Sequence, residues 1–228
     1  MQFLKPKPGT VIADLPTVRC AMAALAPGSG YPQHRHPASD EVYLFLEGQG
    51  EIMEMDGQQV EPFDAPMQAM IPAGTPYALK NTGTQPLKLI WALAPSETPE
   101  MRNQPFLGEI GRVVMLGTEN RERFPKSEKI RGGMLTFQPN TQSAYHSHDG
   151  ADEVFVFLSG YGEVTEEGEV VRVGPGDVVV TLAERKHKIR SFDEPLVMWL
   201  TVTPNCVPSH TFYNQADEDR QTKTDRQR

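Results

Sequence analysis

The stretch His34-Arg35-His36-Pro37-Ala38-Ser39-Asp40-Glu41-Val42-Tyr43-Leu44-Phe45-Leu46-Glu47-Gly48 returns as His146-Ser147-His148-Asp149-Gly150-Ala151-Asp152-Glu153-Val154-Phe155-Val156-Phe157-Leu158-Ser159-Gly160. The differences 146 − 34, 148 − 36, 153 − 41 and 160 − 48 are all 112, close to half of the 228 residues. Two histidines, a glutamate and a glycine at one offset, with an apolar run between them, mark two copies of one unit. The apolar runs are short. They cover residues 42–46, 87–93, 154–158, 170–173, 178–181 and 196–202, and each is bounded by Gly, Pro, Asp or Asn. Evenly spaced short strands with turn signals between them predict an all-β sandwich or barrel. Asp56-Gly57 suits a tight hairpin turn, and Glu167-Gly168 holds the corresponding place in the second copy. No segment carries sustained 3.6-residue periodicity with caps at both ends, so little helix is expected.

Charge and composition narrow the partners. The chain has 22 basic and 30 acidic residues, a net charge of −8. That sign argues against nucleic acid and anionic membrane as partners. No apolar run reaches the ~18–20 residues of a membrane helix, and the opening MQFLKPKPGT lacks the apolar core of a secretory signal. A cytoplasmic protein is the expectation, with Cys20 and Cys206 as free thiols. There is no phosphate-binding glycine loop and no nucleophile elbow.

Only six histidines occur, and four of them form the two His-x-His pairs. On a strand, residues i and i+2 share a face, so each pair presents two imidazoles side by side. Glu41 and Glu153 follow at a fixed spacing. Two neutral imidazoles and a carboxylate make a site suited to Fe(II), Mn(II) and similar ions. His187 lies 34 residues beyond Glu153 and can return on an antiparallel strand as a fourth ligand.

In both halves this pattern resembles the cupin family. The first cupin motif (Gly, His-x-His, Glu, Gly) is matched by Gly28, His34, His36, Glu41 and Gly48. In the second half it is matched by His146, His148, Glu153 and Gly160, with Asn140 in place of the first glycine. The second motif diverges. The first half keeps Pro72, Gly74 and Asn81 but has Tyr77 at the histidine place and Pro66 at the leading glycine. The second half keeps Gly176 and His187 but has Leu182, Glu184 and Ser191 at the Pro, Gly and Asn places. The resemblance implies two tandem jelly-roll barrels: 1–98 as the N-terminal barrel, 99–109 as a linker, 110–213 as the C-terminal barrel, and 214–228 as a polar tail.

It also implies a divalent metal in the C-terminal barrel on His146, His148, Glu153 and His187. Iron or manganese is favoured, with nickel, zinc or copper as alternatives. His34, His36 and Glu41 are candidates for a second metal. Tyr77 is then either a fourth ligand or, beside the metal, a proton donor or hydrogen-bond anchor, and Glu153 can also act as a base. On the strands after the glutamates, alternation puts Tyr43, Phe45, Phe155 and Phe157 on the glutamate face, as cavity walls or as barrel packing. Arg185 or Arg190 is a candidate for holding a substrate carboxylate, the other reading being a solvated basic edge. Trp91 and Trp199, at offset 108, read as core, and His210 as an ordinary surface or interface histidine.

The expected function is a metal-dependent enzyme acting on a small anionic or chelating molecule, foremost a dioxygenase-type oxidoreductase. The alternatives are a redox-neutral isomerase, lyase or hydrolase, and a non-catalytic protein that binds a sugar or metabolite. The chain is expected as a monomer or homodimer.

Overall fold

The computed structural model describes residues 1–54, 59–206 and 210–214. The Asp56-Gly57 turn and the tail from residue 215 lie outside the described residues. Glu167-Gly168 is described, with both φ angles positive (50° and 88°), as a tight hairpin turn with the twist of its flanking strands requires.

In the first half the strands are β1 (Gln2–Leu4), β2 (Val11–Asp14), β3 (Arg19–Leu25), β4 (Gly30–His34), β5 (Asp40–Glu47), β6 (Gln49–Glu54), β7 (Gln59–Asp64), β8 (Met67–Ile71), β9 (Tyr77–Asn81) and β10 (Leu87–Ala94). A single helical turn, α1 (Pro99–Arg102), follows, capped by Thr98. The second half holds β11 (Val114–Leu116), β12 (Arg131–Phe137), β13 (His146–Ser147), β14 (Asp152–Ser159), β15 (Gly162–Glu166), β16 (Glu169–Val173), β17 (Val178–Thr181), β18 (His187–Ser191), β19 (Leu196–Thr203) and β20 (Thr211–Phe212). The protein is all-β, two jelly-roll barrels in tandem. Each barrel closes two antiparallel sheets over one another: six-stranded β11-β8-β5-β10-β3-β2 over four-stranded β4-β9-β6-β7, and five-stranded β1-β17-β14-β19-β12 over five-stranded β16-β15-β18-β13-β20.

The sheet orders show an exchange. β1 pairs with β17 of the second barrel (Phe3 opposite Val179), and β11 pairs with β8 of the first (Met115 opposite Ala69). Each barrel takes its outermost strand on that side from the other half, at equivalent places in the repeat, and so covers an edge that would otherwise offer unpaired backbone. Side chains cross as well. Thr17 donates to Asp152, and Ser127 donates to Asp40, so each motif aspartate is held from the opposite half.

Both faces of the central strands are covered. Val42, Leu44 and Ile90 join Val154, Val156 and Trp199 in one core between the sheets that hold β5 and β14. Tyr43 and Phe45 point into the first barrel, and Phe155 and Phe157 into the second. Burial on both sides explains why β5 and β14 read as nearly unbroken apolar runs rather than as alternating ones.

The two tryptophans do not share an environment. Trp91 lies opposite Tyr43, and in the second barrel Leu200 lies opposite Phe155. The true offset between these strands is therefore 200 − 91 = 109, and the 108 that aligns Trp91 with Trp199 is one residue short. A one-residue slip reverses the face. Trp199 is wholly buried between the barrels, whereas Trp91 turns inward and lines a cavity.

Candidate metal centre

The loop geometry that sets the histidines is the same in both barrels. Gly28 and Asn140, at equivalent places before the His-x-His pairs, both adopt a left-handed conformation (φ 75° and 58°). Asparagine tolerates this better than most residues, so the turn survives the loss of the glycine. Asp40 accepts from the Ala73 amide and Asp152 from the Ala183 amide, both at 2.9 Å. The carbonyls of His36 and His148 accept from the amides of Gly74 and Glu184. The aspartate next to each glutamate therefore ties the His-x-His loop to the loop before the fourth-ligand strand.

In the second barrel, His146 on β13 lies opposite His187 on β18, and Glu153 rises from β14 on the facing sheet. The ligand atoms of His146, His148, Glu153 and His187 lie within 4.8 Å of one another. Glu153 Oε2 is 2.8 Å from His148 Nε2 and 3.2 Å from His187 Nε2. Even so, Glu153 Oε2 and His187 Nε2 make no hydrogen bond of normal geometry. Buried polar atoms without such bonds are costly, and atoms aimed at a common point are what a cation needs. The Nδ1 of His146 and of His187 donates to the carbonyls of Ala144 and Arg185, at 2.8 and 3.0 Å, which leaves Nε2 as the coordinating lone pair. The donor set of three imidazoles and one carboxylate fits a divalent metal.

The electrostatics agree. Burial, reinforced by His187, lowers the His146 pKa to about 4, so this imidazole is neutral at pH 7. Burial alone would raise Glu153, but the facing imidazoles of His148 and His187 outweigh it and hold the carboxyl well below its ordinary range. Burial lowers His187, and Glu153 more than reverses that.

A cavity of about 580 Å³ opens onto these four residues, with walls that include Phe137, Phe155, Ile189, Leu200 and Phe212. Phe155 stands 6.0 Å from the His187 ring. Phe157 is not in this wall; it is fully buried in the barrel core behind Phe155. Arg185 is not brought to the cavity either. It turns to Glu166, 3.4 Å away, and Arg190 turns to Glu163. The arginines at the cavity are Arg131 and Arg123. Arg131 Nη2 donates to His148 Nδ1 at 3.2 Å, and its Nε is buried without a hydrogen bond. Burial, and the charges of Arg121 and Arg131, lower the Arg123 pKa.

His210 also departs from the expectation. β20 runs beside β13 and carries His210 to the site, with ring centroids 5.1 Å from His146 and 4.5 Å from His148. It stacks on Phe212 with an interplanar angle of 5°. No repeat partner announced it. Arg131 could have been found from the repeat, because Arg19 stands 112 residues before it.

The first barrel brings His34, His36 and Glu41 together at comparable spacing. Tyr77 on β9 takes the place of His187, opposite His34 on β4. Its hydroxyl donates to Glu41 Oε2, while the Tyr43 hydroxyl donates to Glu41 Oε1 at 2.9 Å. The two hydroxyls are 2.6 Å apart. Burial, then the charge of Glu41, pushes both phenols well above their ordinary range, so both stay protonated as hydrogen-bond donors in the metal-free protein. His36 lies between Glu41 (3.3 Å) and Glu97 (2.8 Å). Burial lowers its pKa, but the two carboxylates outweigh burial and raise it.

Two facing sheets per barrel, with a His-x-His pair, a glutamate and a cross-strand fourth residue at the mouth, define a bicupin with metal-binding side chains. The chain belongs to the cupin family: the family model described as "Cupin domain" matches residues 21–93 and 133–203. Among curated proteins it is 24% identical over 111 residues to the polyketide synthase CurC of Streptomyces cyaneus, covering 49% of this chain and 68% of that one. It is 34% identical over 80 residues to an uncharacterised protein of Methanocaldococcus jannaschii, covering 35% of this chain and 62% of that protein. Among solved structures it resembles salicylate 1,2-dioxygenase from Pseudoaminobacter salicylatoxidans (TM-score 0.69, 14% identity, 88% of this chain and 76% of that one). It also resembles oxalate decarboxylase from Lactobacillus farciminis (TM-score 0.61, 15% identity, 92% and 83%). At these identities the likeness is one of fold. No helix among the described residues is long and apolar enough to cross a membrane.

Proposed function

We propose that the protein is a metal-dependent enzyme of the dioxygenase type, acting on a small anionic, chelating molecule in the C-terminal barrel. The observation that carries this reading is the convergence of three imidazoles and a carboxylate beside a buried arginine nitrogen that has no hydrogen bond. His146, His148, His187 and Glu153 would hold the ion. When bound, an iron or manganese ion polarises an anionic chelate and brings O2 beside it. Glu153 offsets one of the two positive charges, and the three neutral ligands leave the centre cationic.

Arg131 orients the substrate. An imidazole that coordinates through Nε2 carries its proton on Nδ1, where it cannot accept from Arg131. That guanidinium edge is then available to a substrate carboxylate, together with the buried Nε. Phe155, Phe137 and Leu200 receive the apolar body and exclude water. The likeness to a salicylate dioxygenase supports an aromatic acid as the first class to try.

The test is oxygen uptake by the Fe(II)-loaded chain with salicylate, gentisate and a β-diketone, beside CO2 release from oxalate with Mn(II). Oxygen uptake that is lost in His146→Ala, and whose KM rises at least ~10-fold in Arg131→Gln, supports the reading. Turnover without oxygen uptake replaces it with a redox-neutral reaction. Tight binding without any turnover leaves a binding protein.

A further inference from the structure

The first barrel has its own cavity, of about 360 Å³, and its lining has a chemistry different from that of the second. Three arginines, Arg19, Arg35 and Arg102, line it together with His36, Trp91 and Tyr31. The acidic groups nearest these arginines hold them weakly. Arg19 is 3.8 Å from Asp14, with both side chains largely solvated, and Arg102 is 4.0 Å from Glu97. At such separations donor capacity remains for a ligand. At the floor, each oxygen of Glu41 already accepts from a phenol, and Tyr77 stands where the other barrel has its fourth imidazole.

Arg19 opens β3 as Arg131 opens β12, and the two lie opposite equivalent residues, Leu93 and Val202. The repeat has therefore kept the cavity arginine in both copies and the fourth imidazole in only one. We propose that the N-terminal barrel binds a small carboxylate with a flat or apolar body directly, with the arginines as the anion site, Trp91 as the stacking wall, and no metal between protein and ligand. The proposal concerns this cavity alone and can fail or survive independently of the chemistry in the other barrel.

Benzoate is the probe, with uncharged benzamide as its control. The full chain, stripped of metal by a chelator and carrying His146→Ala to disable the other centre, is titrated with each while tryptophan emission and heat are recorded. Trp91 lines the cavity and Trp199 is sealed in the inter-barrel core, so a bound ring reports through Trp91. The expected result is saturable benzoate binding without metal, at least ~10-fold weaker for benzamide and at least ~10-fold weakened by Arg19→Gln. Arg102→Gln, on an exposed helical turn, should weaken it in the same direction and keeps the test decisive if Arg19→Gln fails to fold. Benzoate and benzamide binding alike would overturn the proposal. So would binding that appears only after Mn(II) is restored, binding abolished by Arg131→Gln but untouched by both N-terminal substitutions, or no binding up to ~10 mM.

Discussion

Glu41 and Glu153 occupy the same place in the two barrels but use their oxygens differently. Glu41 accepts from Tyr43 and Tyr77 and faces a histidine held on its far side by Glu97. Glu153 faces two imidazole nitrogens across 2.8 and 3.2 Å, and its Oε2 has no hydrogen bond of normal geometry. The backbones around them match down to the aspartate that ties the loops. Two side chains make the difference: a tyrosine in place of His187, and a second tyrosine, Tyr43, where the other barrel has Phe155. The first barrel gives each oxygen of its carboxylate a phenol partner, and the second leaves one oxygen facing two imidazoles. Fold and site are therefore separable here, since the scaffold tolerates either solution.

The comparison breaks most visibly at the metal. His146→Ala should weaken divalent-ion binding at least ~100-fold, whereas His34→Ala should leave the bound metal of the chain unchanged. Mass-spectrometric metal content of both variants, purified side by side without chelator, decides this. Equal loss in both would mean that the barrels share the load. The converse experiment sharpens the point. Combining Tyr43→Phe with Tyr77→His removes both phenol donors and supplies the missing imidazole, and bound metal should rise from about one equivalent per chain to about two.

Next in size is the packing contrast. Trp199 is fully buried in the core that joins the sheets of β5 and β14, with Phe124 edge-on at 6.0 Å. Trp199→Ala should cost about 3–5 kcal/mol and, in a chain of this length, lower Tm by ~10 °C. Trp91→Ala, on a half-exposed cavity wall, should cost distinctly less and should instead impair benzoate binding. Thermal unfolding of the two variants checks the first statement. Equal losses would mean that Trp91 is structural after all.

Much of this was legible in the sequence because a 112-residue repeat aligns strand with strand. The all-β fold, the paired barrels and the two His/Glu clusters follow from local pattern. Other features depend on long-range pairing, which local pattern does not carry. The exchange of β1 and β11 was invisible because three-residue edge strands have no periodicity of their own. Trp199 is core as its sequence suggests, but the differing faces of Trp91 and Trp199 were hidden because the repeat offset shortens by three residues between β5 and β10, and one residue of slip is enough to reverse a strand. Arg185 was favoured for its closeness to His187 in sequence, but Glu166 across the sheet takes it. His210 arrives from a strand beyond the repeat, where no second copy could flag it.

The smallest expected effect is a pH signature, and it divides two histidines that the sequence treats alike. In the second barrel, His146 is pressed by burial and by the His187 imidazole, and its folded pKa falls to about 4 from 6.5. Between those values the unfolded chain binds more protons, so stability falls as pH drops through this window. The loss in the metal-free protein is up to about 3 kcal/mol. His146→Gln should remove that slope. In the first barrel, His36 sits between Glu41 and Glu97, which more than offset burial and raise its pKa above 6.5. Its contribution is fully present below the unfolded pKa and is lost as pH rises through the folded one. Relative to His36→Gln, the wild-type chain should therefore lose its advantage on the alkaline side. Denaturant unfolding of both variants from pH 4 to pH 8, with chelator present, reads the two slopes. Slopes of the same sign would show that the carboxylate bracket around His36 does not hold in solution.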